Sequence, residues 1–134
     1  MAAEAVKGLL GRLRDRVRTG EAGEDLACDF LRIRGYTIVE RNYRCRSGEV
    51  DIVARQGAAT VFVEVKDRRG GSHGEGFEAV TFGKRCRLIR AARLYAASKG
   101  ISEQPIRFDV VSIDRTESPA RVRHDRDAFD VDGG

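Results

Sequence analysis

Cysteine, lysine and histidine are all scarce in these 134 residues, and no long apolar run occurs; each scarcity closes off a class of protein. Cys28, Cys45 and Cys86 stand far apart, with no CxxC and no Cys/His pair at zinc-ligand spacing, and an odd number cannot complete a disulfide set. A disulfide-stapled scaffold and a zinc module are excluded, and the expectation is a reduced, cytoplasmic protein. No stretch approaches the ~18 apolar residues that span a bilayer, and MAAEAVKGLLGRLRDRVRTG has too short an apolar run for a signal peptide. No membrane partner is expected. His73 in a glycine loop and His124 in the tail read as solvated rather than catalytic. The lysines are only Lys7, Lys66, Lys84 and Lys99 among many arginines, so each is a less casual choice.

What is present is enough for one domain: a 41% hydrophobic content can fill a single core at this length. The net charge of +4 permits a polyanionic partner without requiring one. Residues 1–18, with Arg12, Arg14, Arg16 and Arg18 close together, read as a loose basic arm. Residues 19–122 read as the domain, and 123–134 as a tail fraying into acidic residues after an edge strand. Within the domain, EAGEDLACDFLRIRGY is helical, with Ala22, Leu26, Phe30 and Ile33 as its apolar stripe, Glu24 in an acidic first turn and Gly35 as its stop. YTIVERNYR, EVDIVAR and TVFVEVKDR are strands, and RRGGSHGEG is a loop. A second helix runs from Thr81 to Lys99, with Leu88, Ala91, Ala92 and Tyr95 inward and Gly100 as its stop; PIRFDVVSI is another strand. This order is that of an α/β or α+β sandwich, an antiparallel meander followed by a helical crossover to a strand lying in parallel.

The stretch GEVDIVARQGAATVFVEVKDR carries acids inside two apolar strands. Val61, Val63 and Val65 share one face of their strand while Phe62, Glu64 and Lys66 share the other. With Gly57 and Ala58 as the central residues of a type II′ turn, Val53 falls opposite Phe62, Asp51 opposite Glu64 and Glu49 opposite Lys66. Opposed carboxylates repel and raise each other's pKa unless a cation sits between them, and Mg²⁺ accepts such oxygen ligands while keeping several waters. Lys66, on the same side, could then hold a nucleophilic water and offset charge developing in phosphodiester cleavage. The plainer reading is a solvated face, with Glu64 paired to Lys66 or Arg55. Against it stand Val50, Ile52, Val53, Val61, Phe62, Val63 and Val65, which suggest a hairpin buried on both faces, where unpaired charge is costly.

An Asp on one strand followed across a hairpin by Glu-x-Lys resembles the PD-(D/E)xK nuclease superfamily. More narrowly, GEDLACDFLRIRGYTIVERNYRCRSGEVDIVA, VFVEVKDR, a helix bearing Lys84 and RFDVV, in that order from about Gly20 to Val111, are similar to the YraN family of small bacterial proteins, described as uncharacterised and endonuclease-like. The resemblance implies a restriction-endonuclease-like α/β core, a mixed central sheet with an antiparallel hairpin flanked by helices. It makes Asp51 and Glu64 the carboxylates that bind Mg²⁺ (or Mn²⁺) and Lys66 the catalytic lysine. It also offers the Val65 carbonyl as a metal ligand and Glu24 as a catalytic helix glutamate beside the metal, where a first-turn Glu favouring the helix dipole is the rival account. Lys84 either aims at the site or snorkels from its helix start. Glu49 reads as a residue outside the ligand shell, and Asp109 as an ion-pair partner of Arg107.

The expectation is therefore a metal-dependent nuclease that hydrolyses DNA, on branched or processed structures. Arg44, Arg46, Arg68, Arg69 and Lys84 supply sequence-independent phosphate contacts, and a homodimer would provide two cuts. The alternative is a non-catalytic module of the same fold that binds nucleic acid or protein in DNA repair, recombination or uptake. The intact Asp51, Glu64 and Lys66 favour the enzyme.

Overall fold

Strand-forming and helix-forming stretches separate cleanly along the chain. The computed structural model describes residues 3–18, 20–69, 80–116 and 120–132. The elements are α1 (Ala3–Arg18), α2 (Gly23–Ile33), β1 (Thr37–Cys45), β2 (Gly48–Gln56), β3 (Ala59–Arg68), α3 (Phe82–Ser98), β4 (Ile106–Asp114) and β5 (Arg121–Phe129). The strands form one sheet in the order β1-β2-β3-β4-β5. β1, β2 and β3 are an antiparallel meander, α3 carries the chain over to β4 parallel to β3, and β5 returns antiparallel to β4. This α/β arrangement, a mixed sheet flanked by three helices, has a restriction-endonuclease-like core. No helix among the described residues is long and apolar enough to cross a membrane.

The hairpin register follows from its turn. Gly57 takes φ 60°, the positive value required at the first central position of a type II′ turn, and Val53 pairs with Phe62 and Ile52 with Val63. Alternation then sends Ile52, Ala54, Val61 and Val63 into the core beneath α1 and α2, and Val53 and Phe62 into the core beneath α3. β2 and β3 are thus buried on both faces, as their apolar runs imply. Phe62 packs against Tyr95 of α3 and Phe108 of β4, with ring centroids 5.6 and 5.8 Å away, so its loss would cost about 3–5 kcal/mol.

Four local expectations need correction. Residues 3–18 are a helix and not a loose arm: Leu13 and Val17, one turn apart, are buried in the α2-side core while the arginines between them look outward. Arg115 holds the end of this helix, its Nη1 donating to the Val17 carbonyl at 3.0 Å. The tail forms β5 as far as Phe129, which stacks on Phe108 at 4.9 Å, so its frayed part is shorter than expected. Ala22 is the exposed N-cap of α2, and the inward stripe there is Leu26, Ala27, Phe30 and Leu31. His124 is not solvated: its side chain is 1% exposed, for reasons given below. The loop RRGGSHGEG, with His73, lies outside the described residues apart from its first two arginines.

Candidate metal-binding cleft

Asp51 occupies a break in the sheet. The β2–β3 pairing ends at Ile52 and Val63, and one step further the Val65 N–H donates to Asp51 Oδ2 at 2.8 Å, where a continued ladder would offer a backbone carbonyl. A strand residue points its N–H and C=O to the same edge, so the Val65 carbonyl also faces the Asp51 side. On the other flank, Arg41 pairs with Ile52 and Tyr43 with Val50, but Asn42, between them, adopts φ 55°. That left-handed residue resets the alternation: Arg41 reaches Glu24 and Asp25 of α2, whereas Tyr43 and Val50 join the core beneath α3. The sheet therefore opens at Asp51 from both sides.

The neighbouring elements close the cleft. On β3, Glu64 is only 5% exposed, and Lys84 from the first turn of α3 makes an ion pair with its Oε1. Thr81 caps that helix by accepting the Lys84 N–H at 3.2 Å, which fixes where the lysine starts. Gly48, Glu49, Asp51, Glu64, Lys84, Arg87 and Leu88 line a cavity of about 280 Å³. From the α2 side, Gly23 settles on the end of β3 so closely that a Cβ there would lie 2.5 Å from Asp67 Oδ2. The next residue, Glu24, is thereby directed toward Asp51. Arg115 holds the Asp67 carboxylate with two bonds, Nε to Oδ1 at 2.8 Å and Nη2 to Oδ2 at 3.1 Å, so the floor under α2 is rigidly tied.

Burial and like charge dominate the electrostatics of the cleft. Burial first, and then the charge and hydrogen bond of Glu64, push the Asp51 carboxyl up to about 6, against the opposing Val65 N–H and Lys84. Burial and the charge of Asp51 likewise raise Glu24, opposed by Arg41 and Asn42. Glu24 Oε1 is buried without a hydrogen-bond partner, with Arg41 Nη2 at 3.7 Å. Among the described residues, no three His, Cys, Asp or Glu side chains converge as a ready-made metal cage. The donors present are the two carboxylates of Asp51 and Glu64, the Val65 carbonyl edge and an orphan Glu24 oxygen nearby. This all-oxygen set fits a hard divalent cation that keeps several waters.

The sequence-predicted residues thus divide. Asp51, Glu64, Val65 and Lys84 meet in the cleft, and Glu24 borders it. Lys66 lies two residues beyond Glu64 on β3, half-buried, and is not among the residues that line this cavity. Arg44 and Arg46 are exposed at the β1–β2 turn beside Gly48 and Glu49, with Arg44 Nε 3.2 Å from Glu49 Oε2. Arg68 and Arg69 end β3 beyond the cleft, Arg69 pairing with Asp67 at 3.2 Å. Three contributors were missed. Arg87 lies one turn after Lys84, an i,i+3 relation that could have exposed it. Asn42, uncommon inside a strand, was another available signal. Arg41 was not recognisable, because its role depends on which face α2 covers.

A second buried cluster lies between β4, β5 and α2. Asp109 accepts from Tyr36 Oη at 2.9 Å, from Arg107 Nε at 2.9 Å and from the Asp127 N–H at 3.0 Å, and His124 Nε2 is 2.8 Å away. The Arg107 pairing was expected; the Tyr36 and His124 contacts were not.

Comparison with known proteins agrees with the motifs. The model of the uncharacterised protein family UPF0102 matches residues 23–113. A UPF0102 protein of Symbiobacterium thermophilum is 53% identical over 97 residues, covering 72% of this chain and 82% of that protein. One of Nocardia farcinica is 51% identical over 78% of this chain and 83% of its own length, and one of Syntrophotalea carbinolica is 46% identical over 88% and 96%.

Proposed function

Because the chain belongs to the UPF0102 family, whose name assigns no chemistry, we propose a function from the cleft itself: metal-dependent hydrolysis of phosphodiester bonds in DNA. The observation that carries this reading is the Asp51–Glu64 pair, two carboxylates brought together at a break in the sheet where burial and their mutual charge raise the Asp51 carboxyl. A bound Mg²⁺ or Mn²⁺ would supply Lewis acidity at the scissile phosphate and a more acidic water.

The protein's own groups then have distinct roles. Asp51 and Glu64 would hold the cation, with the Val65 N–H fixing the Asp51 rotamer and the Val65 carbonyl available as a neutral ligand. Glu24 stands beside them as an acceptor for a proton or an ordered water. Lys66, on the same strand as Glu64, would orient the attacking water and offset charge developing at the phosphoryl group. Arg44 and Arg46 on one side and Arg68 and Arg69 on the other contact the DNA backbone, with Lys84 and Arg87 on the cavity wall. A chain this small reads few bases, so branched or processed DNA is the favoured substrate and a second copy would supply a second cut. The free thiols of Cys28, Cys45 and Cys86 suit a reducing cytoplasm.

One observation favours a DNA-binding module without chemistry: Lys84 already neutralises Glu64. Single-stranded, duplex, flapped and four-way DNA, each incubated with Mg²⁺ or Mn²⁺, separates the readings. The nuclease reading expects cleavage by the wild type and a loss of at least ~10²-fold in Asp51→Asn and Lys66→Ala. Undiminished cutting by both variants would place the activity elsewhere, and binding without cutting would establish the module.

A further inference from the structure

We propose that Lys84 is a displaceable counter-ion of the cleft, occupying Glu64 while no metal is bound and swinging to the cavity mouth to receive a phosphate when a divalent cation arrives. The proposal rests on the metal-site reading above and adds to it an exchange between two cations.

Its basis is geometric. Glu64 is almost fully buried, yet the Lys84 ammonium paired with it belongs to a side chain that is 45% exposed. The base of Lys84 is anchored where Thr81 starts α3, so its four-carbon stem can rotate about a fixed point without disturbing the fold. The wall beside it carries Arg87 and the acids Glu49 and Asp51. A divalent ion ligated by Asp51 and Glu64 would lie within a few ångströms of the ammonium, and like charges at that separation repel strongly in a partly desolvated site. Glu64 is fixed by the sheet and Lys84 is not, so the lysine is the partner that leaves. Its path outward ends at the mouth of the same cavity, where the phosphate being cut would lie. Metal loading would thus convert an internal ion pair into an anion receptor.

The account predicts opposite signs for one substitution. Mn²⁺ binding without DNA, followed by water-proton relaxation in mildly alkaline buffer, should become at least ~5-fold tighter in Lys84→Met and Lys84→Gln, since each removes a competing cation. Binding of a short DNA in Ca²⁺, followed by fluorescence anisotropy, should become about 5-fold weaker in the same variants, since each removes a phosphate ligand. Lys84→Gln retains a hydrogen-bond donor toward Glu64 and covers the case in which Lys84→Met fails to fold. If the wild type binds Mn²⁺ and neither variant binds it more tightly, the exchange is wrong while the metal site stands. If no protein in the series binds Mn²⁺, the metal site is wrong and the exchange falls with it.

Discussion

Two carboxylate centres lie within this one sheet, and their surroundings are opposite. Burial alone would raise Asp109, yet His124, Arg107, the Asp127 N–H and Tyr36 together hold it well below the ordinary carboxylate range. Both of its oxygens are engaged, and Arg107 Nη2 also donates to Tyr36 Oη at 2.6 Å, closing the network on itself. Asp51 has the reverse balance: burial and Glu64 outweigh one N–H donor and a lysine shared with its neighbour. A carboxylate with every lone pair satisfied fastens a fold. One raised by burial and a like charge is where the proposed cation would bind. In this chain the difference separates structure from function better than burial does.

The largest expected effect tests that division. Asp109→Ala leaves Arg107 without its buried partner and should cost about 3–5 kcal/mol in urea unfolding, whereas Asp51→Asn should raise stability by on the order of 1 kcal/mol. Equal losses in the two variants would erase the distinction. Acidification should separate the centres again. The Asp51 carboxyl titrates near 6 in the folded protein against 3.8 when unperturbed, so the native state binds its proton more tightly. Its penalty is present above pH 6 and is relieved as the pH falls from about 6 to 3.8, a gain on the order of 3 kcal/mol. Asp109, depressed when folded, contributes stability above its ordinary pKa that is lost below it. Wild-type stability should therefore rise and then fall on acidification, and Asp51→Asn should lack the rise.

Smaller changes refine the comparison. Asn42 holds a positive φ beside Asp51, so Asn42→Ala should cost about 1 kcal/mol while Asn42→Gly, which tolerates that backbone, should cost less. Either should alter metal affinity if the Asn42 amide positions Glu24, as its hydrogen bond to that carboxylate implies. Smallest of all, Arg44→Ala should change stability by less than ~0.5 kcal/mol, its partner Glu49 being exposed, yet lower the slope of log DNA affinity against log salt by about 1.

Legibility in the sequence followed contact distance. The hairpin register from Gln56–Ala59 to Ile52–Val63 could be read because the turn and the alternation are local; the expected Asp51–Glu64 and Glu49–Lys66 pairs lie beyond the end of that ladder, where the Val65 N–H bonds to Asp51 instead. The second helix and its glycine stop were equally local, and the family motifs supplied the topology. The helix α1 was missed because four closely spaced arginines drew attention from Leu13 and Val17, which need α2 and the sheet to bury them. His124 reaches Asp109 across 15 residues and Tyr36 across 88, pairings that no periodicity encodes. The break at Asn42 is likewise tertiary: its backbone is bent by the strand and helix beside it, and the sequence offered only an unusual residue type.

The direct test of the central claim is the shift in unfolding midpoint on adding Mg²⁺, measured side by side for the wild type, Asp51→Asn and Asp109→Ala. A cation held by Asp51 and Glu64 should stabilise the wild type by about 2.7 kcal/mol at a concentration of about 100 times Kd. It should shift folded Asp109→Ala by the same amount from its lower baseline and leave Asp51→Asn unmoved. An equal shift in Asp51→Asn would contradict the assignment of this cleft as the metal site.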